Sequence, residues 1–378
     1  MSTTASQRTS APLRAQHVGS LLRPAPVLEK REEATQGKCT PEELKAVQDA
    51  AIASVVQLQR EVGIRSITDG EMRRNFFYEG MFEGLDGMTF EPNRPLEDFK
   101  GKIRRTKGIH TEDFKYLKSL VSPEEVKDLK VTVCAPVWLH VRHGSETTYD
   151  HSVYANDDEY FTDLLQAYRE EFNELYDLGC RNIQIDDPSF CFFCAETMIS
   201  AMEKAGIDHE AMLDFYIGKY NDLLRGRPKD LTVGVHMCRG NFRGMHYCEG
   251  GYERIAVKLF NELDVNCYLL EYDDERAGGL EPLRYLPAGK TVVLGMVSSK
   301  TGLLESVDAL KARVEEAVKV ICDGNPERTK EGALNQLCIS PQCGFASVAE
   351  GNPISEEDER QKLTLVVETA KAIWGTGM

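Results

Sequence analysis

His236-Met237-Cys238 places an imidazole and a thiol two residues apart at the end of a short apolar run, Val233-Gly234-Val235. On an extended chain alternate side chains point the same way, so these two groups can converge on one ion. Glu271 ends the next such run, and Cys343 follows the last one in Ser340-Pro341-Gln342-Cys343-Gly344. If these runs are strands of a closed barrel, His236, Cys238, Glu271 and Cys343 meet at one rim. Together they offer one nitrogen, two sulfurs and one oxygen, an ordinary donor set for Zn2+. The triplet alone fits a buried cysteine beside a surface histidine equally well; its position at a strand end favours the metal.

Carboxylates stand at two other run ends, Asp186-Asp187 after Gln184-Ile185 and Glu71 in Asp69-Gly70-Glu71. Buried acids need cationic or hydrogen-bonding partners, and a substrate ammonium would serve. Ion pairs to Arg73, Arg74 or Arg181, or helix capping, would satisfy them as well. Gly19-Ser20 could offer backbone N–H groups and a hydroxyl to a substrate carboxylate, though a tight turn uses the same residues. Cys248, Cys267 and Cys338 are weaker ligand candidates, because none ends a run among polar neighbours. Cys191-Phe192-Phe193-Cys194 has the C-x-x-C spacing of redox and metal sites. Its two central phenylalanines point instead to packing.

These groups need a scaffold that gathers strand ends. Eight apolar, β-branched runs each stop at a polar cluster: His17–Ser20, Ile67–Glu71, Val133–Pro136, Ile183–Asp187, Val233–Cys238, Leu269–Glu271, Val292–Met296 and Leu337–Ser340. Between them lie stretches of helical period with start signals, among them Thr40-Pro41-Glu42-Glu43 and Ser122-Pro123-Glu124-Glu125. Leu164–Leu178, Ala211–Leu224, Arg254–Leu263 and Ala309–Ile321 read as helices too, and a closing amphipathic helix is expected from Ser355. Eight alternations favour an α/β fold of the (β/α)8 barrel type over a doubly wound open sheet, with functional residues where strands end. The expected organisation is one domain over residues 1–378, with an insertion at about 87–130 carrying turn chemistry at Pro92-Asn93.

Of the 378 residues, 42% are hydrophobic and 28% charged, enough apolar material for a buried core. A formal charge of −16 argues against nucleic-acid or anionic-membrane partners, whose surfaces attract an excess of Lys and Arg. The first residues carry no apolar signal region, and no stretch approaches a membrane span. Eleven cysteines without such a signal suit free thiols and metal ligands, so a soluble protein of the reducing cytoplasm is expected.

Taken in order, Arg14-Ala15-Gln16-His17-Val18-Gly19-Ser20-Leu21-Leu22-Arg23-Pro24, Asp69-Gly70-Glu71, Gln184-Ile185-Asp186-Asp187, His236-Met237-Cys238-Arg239-Gly240-Asn241, Leu270-Glu271-Tyr272-Asp273 and Ser340-Pro341-Gln342-Cys343-Gly344-Phe345 resemble the catalytic half of cobalamin-independent methionine synthase. The likeness is greater to the short single-barrel relatives of that enzyme, and it spans nearly the whole chain. The resemblance implies a TIM barrel of the uroporphyrinogen decarboxylase/methionine synthase type, with zinc on His236, Cys238, Glu271 and Cys343. It further implies that homocysteine binds the metal as thiolate, that Glu71 and Asp186 hold its amino group, and that Gly19 and Ser20 hold its carboxylate. Zinc lowers a thiol pKa and so makes a nucleophile at neutral pH.

The pattern departs from the family on the donor side. A histidine that assists proton transfer to folate has its place near Ser298 in Val297-Ser298-Ser299-Lys300, and none is present. A tryptophan near the folate is replaced around Arg142, with Trp138 close by, and no counterpart of the long N-terminal half of the classical enzyme is seen. The expected activity is methyl transfer to homocysteine, with 5-methyltetrahydrofolate (5-methyltetrahydropteroyltriglutamate) the default donor. The alternatives are a different thiol, a donor such as a corrinoid, a small methyl compound or an epoxide, or a non-catalytic zinc-binding protein. An oligomer remains open.

Overall fold

A computed structural model of the chain describes residues 8–89 and 98–375. The Pro92-Asn93 turn expected within the insertion lies outside the described residues. Six strands form a parallel sheet in sequence order: β3 (Val131–Cys134), β4 (Asn182–Asp186), β5 (Thr232–Met237), β6 (Cys267–Glu271), β7 (Thr291–Val297) and β8 (Leu337–Pro341). Before them, β1 (Leu85–Thr89) and β2 (Asp98–Arg105) pair antiparallel as a separate ribbon.

The alternation within the six strands explains their burial. Val133, Ile183, Ile185, Val233, Val235, Leu270, Leu294 and Ile339 all join the large core cluster, where the helices cover the sheet. Their sequence neighbours face the other way. Cys267, Leu269, Val293 and Cys338 form a small apolar cluster of their own, and Gln184, Asp186 and His236 are polar. Cys338 therefore belongs to a packed layer and not to the polar rim.

The first two runs expected as strands do not enter the ladder. They close the fold as extended segments. Arg14–Gln16 pairs with β8 through Gln16 N–H to Ile339 O (2.9 Å) and Ile339 N–H to Arg14 O (2.9 Å). Ile67 accepts from Lys130 N–H (2.9 Å) beside β3. The two segments meet through the Gln16 side chain on Ser66 Oγ (3.0 Å) and Thr68 Oγ1 on Gly19 O (2.8 Å). Side-chain bonds take over here because the Gly19 and Gly70 turns leave no run long enough for a regular ladder. The architecture is an α/β barrel of six regular strands closed by two irregular segments.

Helices start where the sequence signals. Thr40 and Glu43 exchange capping bonds at the head of Pro41–Val62, and Gly63 at φ 95° ends it. Ser355 caps Glu356–Trp374 with Asp358 in the same way. Helices Asp157–Asp177, His209–Leu224, Ala256–Glu262 and Val307–Cys322 occupy the other expected stretches. The signal at Ser122 is the exception. Ser122 N–H does bond the Glu125 carboxylate (2.8 Å), but the chain enters β3 at Val131, and only one 3-10 turn, Val126–Asp128, fits. The α-helix of this region lies earlier, at Thr111–Ser119.

Candidate active site

Register brings the chemistry to one rim. Asp186 pairs with His236 at the ends of β4 and β5, Met237 with Leu270, and Glu271 with Gly295. Gly295 has a steric purpose: a Cβ there would lie 2.7 Å from the Gln342 Cα and 2.8 Å from Leu270 O. Without one, the chain leaving β8 crosses the strand ends, with Gln342 N–H on Val297 O (2.9 Å), and delivers Cys343 to the cluster.

A nitrogen of His236 and the sulfurs of Cys238 and Cys343 lie within 4.8 Å of one another, all buried. Among the described residues this is the one grouping of three or more such side chains close enough to share an ion. Burial and the nearby Lys130 ammonium push the His236 pKa down to about 3, so its ring is neutral and keeps a lone pair. Its Nε2 is buried with no hydrogen-bond partner. A hydrogen bond between the two free thiols lowers the Cys343 thiol pKa, which thereby favours one thiolate, and raises that of Cys238. An unpartnered imidazole nitrogen beside two sulfurs is the donor chemistry that a zinc ion takes.

Glu271 lies outside this trio. Its side chain is fully buried, yet both oxygens are engaged: Oε2 accepts from Arg239 N–H (2.9 Å), and Oε1 accepts from Arg276 Nε (2.9 Å) and Nη2 (2.7 Å). Arg276 in turn pairs with Asp273 (2.8 Å). Nothing in the sequence marks Arg276, five residues downstream on a 3-10 turn, as the partner of Glu271.

The two other candidate carboxylates are buried nearby. Asp186 Oδ1 lies 3.8 Å from His236 Nδ1 and accepts from the Gln184 amide (2.7 Å). Burial, then the charge of Glu71, hold the Asp186 carboxyl well above its usual range. Glu71 Oε1 accepts from Thr132 Oγ1 (2.9 Å) and lies 3.8 Å from Arg74, while its Oε2 is buried without a partner. Glu71 sits at φ 57°, an uncommon conformation for a non-glycine residue, and its N–H bonds Asp69 Oδ1 (2.9 Å). Gly19, at φ 146°, leaves room for this carboxylate; a Cβ would stand 2.5 Å from Thr132 Cγ2 and 3.2 Å from Glu71 Oε1. Ser20 is buried and lines the same cavity. Asp187 has its carboxylate engaged, capping the Pro188–Phe193 turn through Ser189 and accepting from Tyr220. For Asp187 the capping alternative therefore holds.

Lys130 was not singled out from the sequence. It is buried, donates to His17 O and to Gln184 Oε1 (2.8 Å), and burial depresses its pKa to about 8. Through Gln184 it orients Asp186, a role hinted at only by Gln184 in the quoted motif.

Ser20, Glu71, Asp186, His236, Cys238 and Cys343 border one cavity of about 860 Å³, while Glu271, Gln184 and Lys130 stand behind its lining. Its outer wall is of different material. Phe77 packs edge-on against Trp138 (5.2 Å), Tyr78 lies 5.9 Å from Trp138, and Arg142 stands 4.9 Å over the same indole. Met198, Met202 and Met212 also line the cavity. Ser298 is not on this surface; its N–H bonds Glu305 (2.8 Å).

The barrel and its imidazole–dithiol cluster define a class of protein that gathers soft ligands at strand ends beneath a deep cavity. The chain belongs to the family described as cobalamin-independent synthase, catalytic domain, which residues 14–372 match. It is 37% identical over 383 residues to the uncharacterized protein YxjG of Bacillus subtilis, covering 97% of this chain and 96% of that one. To the methionine synthase of Sulfolobus acidocaldarius it is 26% identical, over 93% and 91% of the two chains. Its fold is similar to that of a putative vitamin-B12 independent methionine synthase from Listeria monocytogenes, with a TM-score of 0.77, 32% identity and coverage of 97% and 100%. Among the described residues no helix is long and apolar enough to cross a membrane.

Proposed function

We propose that the protein is a zinc-dependent methyltransferase that methylates the sulfur of homocysteine to give methionine, with 5-methyltetrahydrofolate the default donor. The observation carrying this reading is the meeting, in one cavity, of the His236–Cys238–Cys343 cluster with two buried carboxylates, one of whose oxygens has no partner. Such a site calls for a ligand bearing a thiol and an ammonium group a few bonds apart. Relatives named methionine synthase support it.

Zinc on His236, Cys238 and Cys343, with Glu271 the candidate fourth donor, supplies the positive charge that lets a thiol ionise at neutral pH. The protein's own groups do the rest. Arg276 and the Arg239 N–H hold the Glu271 carboxylate in one orientation, as partners of metal ligands do. An ammonium between Glu71 and Asp186 offsets the burial and the mutual repulsion that raise the Asp186 carboxyl, and Gln184, fixed by Lys130, keeps Asp186 in place. Ser20 and the backbone at Gly19 receive the substrate carboxylate. Phe77, Tyr78 and Trp138 offer faces on which a flat donor ring can lie over the sulfur.

A second reading keeps this thiol chemistry and changes the donor. It is favoured by the loop after β7, where Ser298 is bound to Glu305 and no histidine replaces it. The test is to supply homocysteine and 5-methyltetrahydropteroyltriglutamate to metal-replete protein and follow methionine. Formation that stops on chelation and returns with zinc is expected. Transfer only from a methylcorrinoid or a small methyl donor would establish the second reading, and no alkylation of homocysteine by any donor would overturn both.

A further inference from the structure

Cys191, whose C-x-x-C spacing pointed towards Cys194, has a different neighbour in three dimensions. Its sulfur lies 2.9 Å from that of Cys248, which stands in the loop following β5. Cys194 instead directs its thiol to Phe190 O (3.8 Å). Cys191 and Cys248 share a small buried cluster with Ala195, and Cys191 borders the cavity. Neither belongs to the His236–Cys238–Cys343 trio.

We propose that Cys191 and Cys248 are an oxidisable dithiol that closes to a reversible disulfide when peroxide enters the cavity. Three features beyond proximity carry this. A disulfide needs its sulfurs to approach by less than about 1 Å from where they stand. The two cysteines lie on separate segments, the Pro188–Phe193 turn and the loop after β5, whose backbones already touch: a Cβ on Gly250 would collide with Cys194 O. The hydrogen bond with Cys191 first, and then the Arg239 guanidinium, bonded through Nε to Gly250 O (2.9 Å), favour the thiolate of Cys248.

The chemistry balances with a peroxide as oxidant. One thiolate attacks the peroxide O–O bond, giving a sulfenic acid and hydroxide, or alkoxide from an organic peroxide, which takes up the proton the thiol had released and leaves as water or alcohol. The second thiol attacks that sulfur; the S–S bond forms, the S–O bond breaks, and hydroxide leaves with the thiol proton as water. Two thiols lose two electrons and the peroxide gains them. The link would staple the turn after β4 to the loop after β5. Arg239 carries this to the cluster, since it follows Cys238 and its N–H holds Glu271.

This dithiol does not rest on the reaction proposed above, and its test does not read activity. Metal-replete full-length protein is treated with hydrogen peroxide, alkylated and digested with trypsin without reductant. A peptide spanning residues 182–204 joined to one spanning 244–254, and separated again by dithiothreitol, is expected. The joined species should persist in Cys194→Ser and disappear in both Cys191→Ala and Cys248→Ser, each first shown to keep the native circular dichroism. A link that survives Cys191→Ala, a Cys191–Cys194 bond, or both sulfurs still alkylatable after peroxide would overturn the proposal.

Discussion

The floor and the outer wall of the cavity differ in how far each side chain is held. On the floor Asp186, and directly behind it Glu271, Gln184 and Lys130, are buried, and each is gripped by at least one named partner, so their positions follow from register and hydrogen bonds. The outer wall is aromatic and methionine surface, with Phe76 and Tyr247 exposed, and its rings are held mainly by packing on one another. Polar partners fix a reacting atom to within fractions of an ångström, whereas thioether and aromatic walls adapt to the shape they meet. The floor thus suits one acceptor chemistry, and the wall leaves latitude over the donor.

That contrast can be broken most severely on the floor. Cys238→Ser or Cys343→Ser should release the metal and lower methyl transfer by at least about a thousandfold, since activation of the thiol is lost with it; metal analysis beside turnover checks this. Asp186→Asn should leave the metal bound but raise the KM for homocysteine roughly 10- to 100-fold, as expected for losing a charged hydrogen bond worth about 1.5–3 kcal/mol. Unchanged KM would mean the ammonium sits elsewhere. On the wall, Trp138→Ala should raise only the donor KM, by about tenfold or less, with homocysteine binding and metal content intact.

The smallest effect lies behind the site. Glu359 is buried, accepts from Leu22 N–H (2.8 Å) next to the Gly19-Ser20 segment, and has its pKa pushed up to about 8, chiefly by burial. The folded state therefore holds a proton that the unfolded chain, near 4.5, has released. Its stabilising contribution is complete below pH 4.5 and is lost as pH rises through about 8. The unfolding free energy of Glu359→Gln, measured by denaturant titration between pH 5 and 8, should fall less steeply with pH than that of the parent.

The central strands were legible in the sequence because two-residue alternation in Val233–Met237 or Val292–Met296 reports which face meets helices. Their ends named most of the floor for the same reason. What failed was decided by distant residues. The runs at His17–Ser20 and Ile67–Glu71 read as strands, yet turns at Gly19 and Gly70 leave only a few backbone bonds beside them and side-chain bonds to join the two segments. Ser122 N–H does bond the Glu125 carboxylate, but the start of β3 leaves no length for the helix. Glu271 stands at the expected strand end, while the arginine that pins it comes from a loop no spacing rule connects to it. Cys248 had no motif at all; its meaning came from a sulfur 57 positions away.

The central claim, a metal that takes up an amino-acid thiol, is tested most directly by zinc content and zinc X-ray absorption of the purified protein with and without homocysteine. One zinc per chain, bound by sulfur with nitrogen or oxygen and gaining one further sulfur neighbour when homocysteine is added, is the predicted result. Zinc whose coordination ignores homocysteine, or a protein that takes up no zinc, would contradict it.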